Sequence, residues 1–172
     1  MGLPEIFISL QTAAVSAITR SARGVLAVAV KDATAGGAAE AAYKSLAEVP
    51  EDKFSPENYR LLKLAFLAAP TKVWVLRVGE EAEKTYQALE RLRFDWLAAP
   101  GLEDARVMSF IKTLRNGGRG VKAVVANATA PDCEGIVNLC VSGLTLEDGA
   151  MEAKDYAVRV AALLAALPLT RS

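Results

Sequence analysis

The sequence predicts an α/β fold: three layers, a mainly parallel sheet with helices on both faces, and an extended N-terminal strand arm. Three observations carry that expectation. Strand-like apolar runs alternate with stretches of helical period, and such alternation yields parallel neighbours joined by crossovers. The run Gly24 to Val30 is apolar without a break, as in a strand buried on both faces. The connections are short, with no internal repeat or low-complexity tract. A chain of 172 residues makes about one domain. The expected division is an arm and lead-in over residues 1–23, then an α/β domain over 24–172.

The elements follow in order. Ile6, Ile8 and Leu10 alternate with Phe7 and Ser9, the period of a strand. That strand can pair within its own fold or extend a neighbour's sheet. The first core strand covers Gly24 to Val30, and the small polar residues from Asp32 to Gly37 form a loop. Ser55-Pro56-Glu57 is a helix start, with serine as N-cap, proline in the first turn and an acid near the positive end of the dipole. This helix runs to about Leu67, places Tyr59, Leu62, Ala65 and Phe66 on one side, and stops at Ala69-Pro70. Lys72 to Val78 is a strand, and Glu80 to Arg93 a helix with Tyr86, Leu89 and Leu92 on one face. A short strand at Phe94 to Ala98 leads to a helix over Glu103 to Leu114, with Val107, Ile111 and Leu114 inward. The glycines in Arg115 to Gly120 supply its C-terminal stop. Further strands are expected at Val121 to Ala126 and Ile136 to Val141, with a turn region from Ser142 to Gly149. The last helix, about Glu152 to Leu167, is apolar all round and is expected to be covered on all sides.

Composition excludes several chemistries. The 20 basic and 20 acidic residues cancel, so there is no chain-wide attraction to nucleic acid or to an anionic membrane. With no histidine, the chain alone builds no Ser-His-Asp triad, Cys-His dyad or histidine metal site. The two cysteines, Cys133 and Cys140, make no disulfide framework; both are expected reduced, with Cys140 facing a core. No metal or cofactor is expected. The longest apolar run, Val160 to Leu169, is ten residues, about half of a membrane span. The N-terminus lacks a secretion-signal pattern, so the protein is expected to be made and kept in a cytoplasm until released. Gly36-Gly37 lacks a phosphate-loop ending. Trp74 and Trp96 lie in strands and are expected in the core. In such a sheet ligands bind beyond the carboxyl ends of the strands. Asp32, Asp132 and Glu134 are the carboxylates available for acid-base or metal work in a small cytoplasmic α/β enzyme or ligand-binding domain. In the bland reading these acids cap helices and solvate turns.

A resemblance points elsewhere. Asp132, Glu134, Gly135, Ile136 and Asn138 are followed by a strand, a glycine turn, and then Tyr156, Arg159, Ala161, Leu164, Ala165, Leu167, Pro168, Leu169 and Ser172. That order resembles the sheath subunit of contractile phage tails and related injection devices. Tyr43, Ser55-Pro56-Glu57-Asn58, the strand Lys72 to Val78, Ala88-Leu89 and Pro100 extend the resemblance over most of the chain. It implies a structural subunit without catalytic residues, related in fold to a subtilisin-type domain. Copies of the chain would stack as rings around an inner tail tube protein, in the virion tail after assembly in the host cytoplasm. Chain-end arms would add strands to neighbours, and contraction would drive the tube through a target envelope. The resemblance favours Ile6, Phe7, Ile8, Ser9 and Leu10 as interface residues of such an arm. Arg20 and Arg23 are either plain surface charge or a pairing with another subunit. Family members continue past the part matching Pro168 to Ser172. The α/β domain is therefore expected to be incomplete at its C-terminus, and its last helix to be exposed and prone to self-association.

Overall fold

The structure is a computed structural model that describes residues 24–127, 131–146 and 149–167. The interface residues Ile6, Phe7, Ile8, Ser9, Leu10, Arg20 and Arg23 lie outside the described residues.

Strand β1 (Val25–Lys31) runs through the middle of a six-stranded sheet. Its apolar run serves two cores at once. Ala27 and Ala29 point to one face; Leu26, Val28 and Val30 point to the other. After it come β2 (Glu40–Tyr43), two short 3₁₀ turns (Leu46–Glu48 and Glu51–Lys53) and helix α1 (Pro56–Phe66). Then follow β3 (Lys72–Val78), α2 (Ala82–Arg91), β4 (Trp96–Ala98), α3 (Asp104–Asn116), β5 (Lys122–Val125) and β6 (Ile136–Asn138). A two-stranded hairpin, β7 (Thr145–Leu146) and β8 (Gly149–Ala150), precedes the final helix α4 (Ala153–Ala166). The sheet order is β2-β3-β1-β4-β5-β6, all parallel except β2, which pairs antiparallel to β3.

Helices α2 and α3 cover one face. Tyr86, Leu89, Val107, Ile111 and Leu114 pack there on Ala27, Leu76 and Leu97. Helices α1 and α4 cover the other, with Leu61, Leu62, Ala65, Val158 and Ala161 on Leu26, Val28 and Val75. Three layers and a mainly parallel sheet are thus the observed architecture.

Local chemistry explains the boundaries. Ser55 is extended and its hydroxyl accepts from the Asn58 N–H, capping α1. Ser55→Ala should lower the unfolding free energy by about 1 kcal/mol, read from urea melts. An unchanged midpoint would show the cap to be idle. Helix α3 stops where Gly118 takes a left-handed φ of 84° and its N–H bonds back to Arg115.

The structure corrects several expectations. Strand β2 falls in a stretch with no expected strand. Its four residues alternate outward and inward, and Tyr43 joins the core beside α1. On α1 it is Leu61, with Leu62 and Ala65, that is fully buried, while Tyr59 and Phe66 sit at the margin. Strand β6 ends at Asn138, so Cys140 lies beyond it and is exposed rather than facing a core. Part of the expected turn region is the β7–β8 hairpin. Among the described residues, helix α4 is covered on one side only. Ala157, Val158, Ala161, Ala162 and Ala165 meet the sheet and α1, while Leu163 is 43% exposed. The contact face is alanine because the helix lies close over the strands; the larger leucines find room only outward.

Candidate assembly surfaces and the carboxylate cluster

The carboxyl ends of the parallel strands hold the groups a ligand site would need, so their geometry decides between a chemical and a structural role. Asp32 follows β1 directly, and its side chain is 0% exposed. Oδ1 accepts from the Thr34 N–H at 2.9 Å and from Arg77 at 3.4 Å. Oδ2 accepts from the Ser55 N–H at 2.9 Å and from Asn58 Nδ2 at 2.8 Å. Asn58 also donates to the Lys31 carbonyl. Arg77, on β3, donates to the carbonyls of Thr34 and Lys53 and lies over the Phe54 ring. Burial alone raises the Asp32 pKa. Hydrogen bonds from Ser55, Thr34 and Asn58 more than offset it and hold the carboxyl well below the usual carboxylate range. A carboxylate so engaged has no oxygen left for substrate, and its proton affinity is too low for general-base work.

The other two carboxylates are elsewhere. Glu134 precedes β6, and β6 runs parallel to β5, β4 and β1, so it stands at the opposite end of the sheet from Asp32. It pairs there with Arg115. Asp132 is exposed in the same loop. The three acids therefore do not converge. Beyond the strand ends a crevice of about 660 Å³ is lined by Asp32, Gly79, Glu80, Tyr86, Glu103 and Arg106. The one expected acid it contains, Asp32, is committed to the fold. Among the described residues no group of three or more potential metal ligands is assembled. Trp74 and Trp96 are partly buried against the two cores, and lysines 72 and 122 cover their rings.

The remaining surface carries open sheet edges and a few exposed apolar side chains. Among the described residues, β2 and β6 each pair on one side only, so the sheet has two open edges. Val137 on β6 and Val141 after it are exposed, as are Leu67, Leu163 and Leu167 near the helix ends. The hydrophobic exposure on α4 had a sequence signal in the paired leucines; the edge position of β6 had none. The arrangement is that of a packed α/β building unit with open sheet edges.

The chain matches no family model. It is 30% identical over 188 residues to the tail sheath protein of Clostridium phage phiCD119, covering 99% of this chain and 50% of that protein. The chain thus spans about half the length of the curated relative it matches. In fold it is similar to a sheath tail protein from Listeria innocua, with a TM-score of 0.71 and 16% identity, over 93% of this chain and 61% of that one. A second sheath tail protein, from Desulfitobacterium hafniense, gives a TM-score of 0.69 and 14% identity, over 96% and 62%. By sequence the chain is similar to about half of a tail sheath protein, and its fold is similar to that of two sheath tail proteins.

Proposed function

We propose that the chain is a structural subunit of a contractile tail sheath. Copies of it stack in rings around an inner tail tube protein, and rearrangement of the rings drives the tube through a target envelope. The observation that carries this reading is the match to a phage tail sheath protein along 99% of the chain. The internal use of Asp32 and the separation of Glu134 from it support a role without catalysis. No described helix is long and apolar enough to cross a membrane. The place of action is the virion tail, after assembly in the host cytoplasm.

In this reading the strand Ile6 to Leu10 leaves its own domain and extends a neighbour's sheet, for which β2 and β6 offer edges. In sequence Arg20 and Arg23 fall between that strand and β1, and in this reading they pair with the neighbour. Negative-stain electron microscopy of tails carrying the chain should show striated tubes that shorten when triggered. Ile8→Pro removes a ladder donor and should reduce tube yield by about tenfold without changing the far-ultraviolet circular dichroism of the domain. Full tube yield from the proline variant would remove the arm. Dispersed single-domain particles from the unaltered chain would remove the sheath reading itself.

A further inference from the structure

Helix α4 carries two apolar stripes: one is buried against the sheet and α1, and the other touches that core only through Val160 and Leu164. The alanine stripe is buried. Val160, Leu163, Leu164 and Leu167 form the other, at the i, i+3, i+4, i+7 spacing of a single helix face. Val160 and Leu164 are half-buried, while Leu163 and Leu167 are 43% and 59% exposed. A leucine stripe of this spacing suits a second helix laid along it.

The chain itself delivers a candidate to that place. A Cβ added to Gly24 would stand 3.3 Å from the Ala165 carbonyl oxygen. Gly24, the residue before β1, therefore stands beside the last turns of α4. The residues before Gly24 have a matching apolar spacing in sequence: Ala14, Ala17 and Ile18 fall at i, i+3 and i+4. Ile18 lies six positions before Gly24, enough chain to reach along the stripe from Leu167 toward Val160. The alanines would allow close approach.

We propose that residues 11–23 of the same chain pack on the Val160–Leu167 stripe of α4 and cover it in cis. The stripe is then an internal seat for the lead-in, and the strand before it is launched from a fixed point on the domain.

The test uses the full chain with Cys133→Ser and Cys140→Ser. Ile18→Cys is combined with Leu163→Cys and treated with a short bismaleimide. A control pairs Ile18→Cys with Glu90→Cys on α2, across the sheet. A second pair, Ile18→Cys with Leu167→Cys, guards against a single misplaced position. Circular dichroism confirms that each variant folds. The expected result is an intrachain link formed about tenfold faster than in the control and at a rate unchanged by dilution. Links between chains that fade on dilution would overturn the proposal in favour of a second copy on the stripe. Linking no faster than the control would overturn it by showing that residues 11–23 do not lie there.

Discussion

Asp32→Ala is expected to cost about 3–5 kcal/mol of folding stability, a large part of what a domain of this size possesses. The loss has three parts. The N–H groups of Thr34 and Ser55 lose their acceptor, as does the Asn58 amide. The start of α1 and the loop after β1 are no longer tied together. Arg77, whose side chain is 9% exposed, is left without its counter-charge. Truncating one partner of a buried pair costs more than the pair contributes, because the other charge remains desolvated. Asp32→Asn, which keeps the shape and removes the charge, should fall between the two. The pH dependence has a definite sign. The folded-state pKa lies below the unfolded value of about 3.9, so the contribution is complete above that value and is lost as pH falls through and below it. Urea melts between about pH 5 and pH 2 should show declining stability in the natural sequence. The part of the decline due to Asp32 should be missing in Asp32→Ala. Equal midpoints for the two proteins at pH 7 would refute the hub.

Gly101→Ala is the second large effect. An added Cβ would stand 2.6 Å from the Lys31 nitrogen and 2.8 Å from the Val30 carbonyl carbon. Both are backbone atoms of the central strand, and the Gly101 N–H is itself bonded to the Ala29 carbonyl. No side chain can swing aside to relieve the overlap. The loop after β4 must therefore lift off β1, at a cost of about 3 kcal/mol. Gly79 is an internal control, since nothing lies within 4 Å of the position its Cβ would take. Gly79→Ala should be near neutral. Similar unfolding midpoints for the two variants would show that the close approach carries no weight.

These two positions show what the sequence could reveal and what it could not. Local signals were legible. Ser55-Pro56-Glu57 started α1 where expected, because capping depends on neighbours in sequence. The apolar run between Pro70 and Gly79 matched β3 end to end. Signals set by distant partners were hidden. Glu40-Ala41-Ala42-Tyr43 has no β-branched residue, and it is a strand because β3 offers an edge. Asp32 stood out as an available acid, but its partners Ser55, Asn58 and Arg77 lie 23 to 45 residues away. Only the fold shows that they use up its oxygens. The apolar count of α4 suggested a buried helix, because hydropathy does not say which face carries alanine and which leucine. For the assembly surfaces, edge status is a property of the sheet order and leaves no trace in a three-residue run such as Ile136 to Asn138.

The alanine face of α4 has a mechanical consequence. Alanine has no side-chain rotamers to exchange, so the helix side of the seam with β1, β4 and β5, whose fully buried residues are alanine but for Val158, has few ways to repack. A seam of long flexible side chains could slide and re-lock in a second register; this one has no such slack. The domain is therefore a stiff tile. In an array of such tiles, a change of shape falls on the joints, and each tile passes from one arrangement to the next as a rigid body.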